Sequence, residues 1–216
     1  LRLLFQKEDV EAPVELTAYT GVAAFNIGFG AKTACSAFRI FPNAAFKKEL
    51  KGEQLRALEK QWENVVLLIV DEVSFIGRAF FYRMHCRLQQ AKRGFFAERG
   101  LDPEKSSGFG DISMILVGDF GQLEPIEDLS MCDDETNYGT CPKPLWKLWG
   151  HAQAGRHLLQ SFKEAIMLTR IHRSKDDLWW TESCLRLRDF EMSYDEDYLT
   201  WRHHDLDRGH FTAEQK

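Results

Sequence analysis

Three short stretches carry side chains whose types and spacing suit phosphate chemistry. In Leu67–Glu72 (LLIVDE) two adjacent carboxylates, Asp71 and Glu72, close an apolar run. A carboxylate at the end of a buried strand can hold a magnesium ion on nucleotide phosphates, and a second beside it can orient and deprotonate an attacking water. Alone, the pair reads equally well as a strand ending in a solvated turn. In Gly118–Ile126 (GDFGQLEPI), Asp119 and Gln122 come after another apolar run. The amide of Gln122 can donate to a terminal phosphate and accept from a water, so it can sense whether that phosphate is intact. The third stretch is Thr20-Gly21, at the end of the β-rich VELTAYT (Val14–Thr20).

The elements around these stretches are expected to bring them together. Val65–Val70 is apolar without a break, as in a parallel strand covered on both faces, and Ile112–Val117 is similar. With Val14–Thr20 and the shorter Ala165–Leu168 they make four strand candidates. Helical spacing places Leu55, Leu58 and Trp62 on one face of Gly52–Trp62, and Phe81, Met84 and Leu88 on one face of Gly77–Lys92. Shorter helices are expected after Gly21 up to Ile27 and over Thr33–Phe38, and further ones over Asp176–Arg188 and Ser193–Arg202. Phe95–Asp111 and Glu127–Pro144 read as loops. Strands alternating with helices predict an α/β fold with a mostly parallel sheet, whose carboxyl ends collect the function.

Composition sets broad limits. The 216 residues are 44% hydrophobic and 28% charged, an ordinary globular balance. No apolar run approaches the roughly 20 residues that span a bilayer, and Leu1–Glu8 lacks a signal-peptide layout. Five scattered cysteines without a C-x-x-C pair point to reduced thiols in an intracellular protein. His203, His204 and His210 lack a partnering frame of metal ligands and read as surface residues. A net charge of −5 runs against a broadly basic surface, although Lys47, Lys48 and Lys51, or Arg87, Lys92 and Arg93, could form a local patch. Phe25, Phe29 and Phe38 are expected in the core, and Trp179 and Trp180 are expected to pack.

The order strand-DE, then strand-GDxxQ, is more specific than either part, and with it the chain resembles the Pif/RecD-type superfamily-one DNA helicases. TAYTGVAAFNI (Thr17–Ile27) and AKTACSAFRI (Ala31–Ile40) resemble that family's two DNA-contacting segments. IVDEVSF (Ile69–Phe75) resembles its magnesium and water-activating motif, and GDFGQLEPI its γ-phosphate sensor. LTRIHR (Leu168–Arg173) resembles the segment bringing an arginine to ATP from the second motor domain, and Leu185–Arg202 resembles the family's next stretch of that domain. Cys35 stands where the family usually has His, Ala34 where it has a bulkier apolar residue, and Glu124 where it has an apolar residue or proline.

The resemblance implies a RecA-like P-loop motor domain, incomplete, over residues 1–160, and the start of a second motor domain over 161–216. It implies Asp71 as magnesium ligand, Glu72 as water-activating base, Gln122 as sensor, Asp119 beside the nucleotide and Arg173 as arginine finger. Thr20, Gly21, Asn26 and Ser36 would contact single-stranded DNA. ATP and Mg2+ would be the cofactors, single-stranded and forked DNA the substrates. The expected protein is a monomeric 5′-to-3′ motor without a membrane partner, in nucleus or mitochondrion if eukaryotic, serving repair, recombination or telomere maintenance. The 216 residues contain no G-x-x-x-x-G-K-[ST]; in NIGFGAKT (Asn26–Thr33), Asn26 and Ala31 occupy the glycine positions. That loop is expected before Leu1 and the later motor motifs after Lys216, so the isolated chain should hydrolyse little ATP. The alternatives are a catalytically inactive DNA-binding remnant of a mobile-element helicase, and a different P-loop enzyme sharing the strand-DE and sensor layout; the match at Thr17–Ile27 argues against the latter.

Overall fold

A computed structural model describes residues 13–41, 46, 49–102, 108–133, 141–169, 171–172, 177–198 and 201. Strands β1 (Val14–Ala18), β2 (Lys32–Thr33), β3 (Leu67–Asp71) and β4 (Ser113–Leu116) form one sheet in the order β2-β1-β3-β4, and every pairing is parallel. Val14 lies opposite Leu67 and Ala18 opposite Asp71, while Leu67 lies opposite Ser113 and Val70 opposite Leu116. Leu68 and Val70 are fully buried. Leu67 and Ile69, pointing to the other face, are only half-buried, and Ile115 keeps 48% of its surface exposed. One face of the sheet is therefore deeply covered and the other only in part, where the unbroken apolar run predicts cover on both.

The deep face packs on helices α2 to α5, while α1 lies against β1 and β2. Helix α1 (Gly21–Ile27) is capped by Thr20, whose Oγ1 accepts from the Ala23 N–H at 3.2 Å. Helix α2 (Ala34–Phe38) starts from the same arrangement at Thr33, and α3 (Gly52–Trp62) buries Leu58 and Trp62, as its spacing requires. Trp62 stacks on Phe38 at 5.1 Å, tying α3 to α2. Helix α4 (Arg78–Glu98) buries Phe80, Phe81, Met84, Leu88 and Ala91. It runs past Lys92, the expected end: Phe96 is buried, anchoring the extra turn, and the helix stops only where Gly100 takes φ +64°. Helix α5 (Trp149–Gln160), left unassigned by the sequence, packs along α4. Its Gly155 sits against the Arg78 carbonyl, where a Cβ would overlap it.

The chain divides into two compact units, Leu1–Lys163 and Glu164–Lys216. In the second, α6 (Leu178–Arg188) is capped by Asp177 and followed by a wide helical turn, Tyr194–Tyr198, within the stretch where a helix is expected from Ser193. Asp197 is wholly buried and accepts from Ser183 Oγ at 2.6 Å, from Arg186 at 2.6 and 2.9 Å and from the Ser193 N–H at 3.0 Å. Trp180 remains 41% exposed but stacks on Trp201 at 5.0 Å. The strand expected over Ala165–Leu168 does not form. Ile166, Met167 and Leu168 are 88%, 85% and 85% exposed, without a neighbouring strand among the described residues to pair with.

Candidate active site

Parallel pairing fixes where the three chemical stretches go. With β1, β3 and β4 aligned, Thr20, Asp71-Glu72 and Gly118–Gln122 all leave the sheet at its carboxyl edge. Backbone bonds then knit two of the exits. The Val117 N–H donates to the Val70 carbonyl at 2.7 Å, and the Val73 N–H donates to the Val117 carbonyl at 3.1 Å. Gly118 comes next with no room for a side chain, since a Cβ there would lie 2.8 Å from Val73 N and 3.5 Å from the Glu72 carbonyl carbon. The Gly118–Gln122 segment therefore begins pressed against the acidic pair.

The pair itself is bent. Glu72 takes φ +56° and ψ +44°, a left-handed conformation that disfavours a residue with a long side chain by about 1–2 kcal/mol. Such strain gathers at functional sites, where surrounding contacts over-determine the backbone. Here Asp71 Oδ1 accepts from the Glu72 N–H at 2.8 Å. Glu72 Oε2 accepts both from the Thr20 N–H at 3.1 Å and from the Thr20 hydroxyl at 2.7 Å, across to the end of the neighbouring strand. One threonine thus touches both the acidic pair and the cap of α1.

Asp119 shapes the turn that follows β4. Its Oδ1 accepts from the Gly121 N–H at 2.9 Å and its carbonyl from the Gln122 N–H at 3.0 Å, leaving the Gln122 side chain exposed. The far end of the loop is tethered by Asp128, which sequence reasoning missed. Its carboxylate accepts from the N–H groups of Ala79 at 3.2 Å, Phe80 at 2.9 Å and Leu129 at 2.8 Å, capping α4 from downstream. Burial pushes its carboxyl above the usual range, against the pull of those three N–H groups.

Of the residues implied for DNA, Gly21, Asn26 and Ser36 are exposed and Thr20 is half-buried. Two expectations are corrected nearby. Phe25 and Phe29 are 86% and 54% exposed, while only Phe38 is core. Arg87 and Lys92 form no surface patch: Arg87 is buried with its guanidinium 4.7 Å from the Phe46 ring centre, and Lys92 donates to the Glu63 carbonyl at 2.8 Å. Arg93 reaches Glu49 at 3.2 Å. Arg173, Lys47, Lys48, His203, His204 and His210 lie outside the described residues.

For a magnesium ion the donor set at Asp71 is sparse but of the right kind. Mg2+ takes one or two protein carboxylates and fills its shell with water and phosphate oxygens. Among the described residues no group of three or more His, Cys, Asp or Glu side chains converges into a site that could hold a metal ion. A single carboxylate on a strand end fits an ion delivered with a nucleotide.

Comparison with known proteins places these features in context. Residues 5–152 match the PIF1-like helicase family. The ATP-dependent DNA helicase PIF1 of Saccharomyces cerevisiae (strain YJM789) is 25% identical over 175 residues, covering 81% of this chain and 17% of that protein. That of Xenopus laevis is 27% identical over 168 residues, covering 75% of this chain and 24% of that protein. The crystal structure of Pif1 helicase from Candida albicans superposes with a TM-score of 0.60 at 23% identity, over 90% of this chain and 37% of that one. Bacteroides Pif1 bound to ssDNA gives a TM-score of 0.52 at 19% identity, over 90% of this chain and 40% of that one. These likenesses show a RecA-like motor fold, and the chain spans about a fifth of the length of the Saccharomyces and Xenopus proteins.

Proposed function

The chain belongs to the PIF1-like helicase family, and from that membership we propose that it supplies the ATP-facing and DNA-facing residues of a DNA helicase motor. Asp71 would hold Mg2+ together with ATP phosphates, and the ion would supply neutralisation of phosphate charge there. Glu72 orients the attacking water and takes its proton. Gln122, on a turn braced by Asp119, reaches between that water and the terminal phosphate. Arg173 serves as the arginine finger, a role typically worth about 10³–10⁵ in rate. The observation that carries the reading is the joined carboxyl edge, where Thr20, Glu72, Val73, Val117 and Gly118 meet within hydrogen-bond or van der Waals distance.

Beside that edge, Thr20, Gly21, Asn26 and Ser36 form a track for unpaired DNA. Neutral side chains and backbone N–H groups suit phosphate contacts that ignore sequence. The exposed rings of Phe25 and Phe29 add surfaces on which bases stack. The motor runs 5′-to-3′ and opens forked DNA in repair, recombination or telomere maintenance. Without a glycine-lysine phosphate loop among its 216 residues, the chain alone binds ATP weakly and turns over little. That same observation favours a second reading, a DNA-binding remnant without catalysis.

Two measurements test the proposal. The 216-residue chain should bind an oligothymidylate while showing negligible ATP turnover, and sustained turnover would refute that division of labour. The gene sequence 5′ of the Leu1 codon separates the two readings: a G-x-x-x-x-G-K-[ST] stretch supports the motor, a start codon near Leu1 the remnant.

A further inference from the structure

We infer that Thr20 is a positioning residue shared between the DNA track and the water-activating carboxylate, holding Glu72 back until a DNA phosphate displaces it. This rests on the functional reading above and adds to it a route by which DNA reaches the ATP chemistry. Both hydrogen-bond donors of Thr20 point at one oxygen, Glu72 Oε2, at 3.1 Å from the backbone nitrogen and 2.7 Å from the hydroxyl. The hydroxyl oxygen accepts in turn from the Ala23 N–H at 3.2 Å. The hydrogen-bonding capacity of this residue at the carboxyl edge is thus engaged inside the protein.

The next residue, Gly21, is exposed, with nothing within 4 Å of where a Cβ would stand, so a strand can approach Thr20 closely. A phosphate arriving there meets donors already held by another anion. Two anions do not share one pair of donors, so phosphate and Glu72 compete for Thr20. With Thr20 occupied by DNA, Glu72 Oε2 loses both donors and its lone pairs become available to a water. The left-handed turn at Glu72 and the Gly118 contact keep the backbone in place while the side chain swings. Such competition is reciprocal: whatever frees Thr20 from Glu72 must tighten DNA by the same factor.

That reciprocity can be read without ATP. Oligothymidylate binding by the 216-residue chain is measured by fluorescence anisotropy, with a thermal melt of each variant. Glu72→Ala should bind about tenfold tighter than wild type, and Glu72→Gln, which preserves the shape of the turn, should move the same way. Asp71→Ala removes the same charge without touching Thr20 and should gain less than about threefold, as expected of a screened partly exposed charge. Thr20→Val, which keeps the N–H but loses the hydroxyl, should weaken binding and shrink the gain from Glu72→Ala, and Thr20→Ser should restore both. Equal tightening by Glu72→Ala and Asp71→Ala would overturn the shared role of Thr20 and leave the DNA track standing. Absence of oligothymidylate binding by wild type would overturn the track and the inference together.

Discussion

The acidic pair works by contrast of environment. Asp71 continues the pleat of its strand, whereas Glu72 is turned out of it by a left-handed backbone and caught by Thr20. Gly118 packs directly against that turn, and Gly118→Ala should therefore destabilise the fold by about 1–3 kcal/mol as the segment after β4 is forced off Val73. An unchanged melting temperature would show that the two segments do not press on each other. Phe25→Ala should leave the melting temperature alone, since the ring is exposed, yet weaken oligothymidylate binding by about 1–3 kcal/mol if a base stacks there. At this scale the sequence located the end of β3 at Asp71, where an apolar run gives way to acids. It misled at Phe25 and Phe29, because a phenylalanine among small residues reads as core. Asp128 was illegible: the N–H groups it caps, those of Ala79 and Phe80, lie far upstream in the chain.

Helices α4 and α5 cross where Gly155 meets the Arg78 carbonyl. Gly155→Ala must push the helices apart, and a loss of about 1–3 kcal/mol in chemical denaturation is expected; full wild-type stability would contradict the crossing. Helix α5 is weakly marked in the sequence because its buried residues, Ala152 and Gly155, are small, while Trp149, Leu158 and Leu159 pack only partly buried against the core. Ala165–Leu168 shows the converse, an apolar run that is no strand because pairing needs a neighbour. In the second unit, the Arg186 and Ser183 hydrogen bonds hold the Asp197 carboxyl well below its ordinary value of 3.8. A depressed carboxyl contributes stability above its unfolded pKa and loses it as pH falls toward the folded one. Fluorescence from the Trp180–Trp201 stack should thus stay constant from neutral pH down to about pH 4 and change only below it. A transition near neutrality would contradict the assigned cause.

Across the whole molecule, the net charge of −5 and the neutral character of Thr20, Gly21, Asn26 and Ser36 make a distinctive demand on binding. Few counterions are released when so few cations meet phosphate, so oligothymidylate affinity should fall with salt at a log–log slope of about −1, since single strands give roughly −0.7 per neutralised phosphate. A slope several times steeper would point to a basic surface elsewhere. The parallel α/β architecture was legible from the order of runs and helices, because buried strands announce themselves by lost alternation. How α4 and α5 pack, and how the loop after β4 is tethered by Asp128, depend on contacts between distant residues and were not. We propose that Glu72 activates water for ATP hydrolysis at an edge shared with DNA. The most direct test is single-stranded-DNA-stimulated ATP turnover by the complete product of the gene encoding this chain, compared with its Glu72→Gln variant. Loss of turnover by about 10²–10⁴ with DNA binding retained is the predicted result; a variant as active as wild type, or a wild-type protein that hydrolyses no ATP, would contradict it.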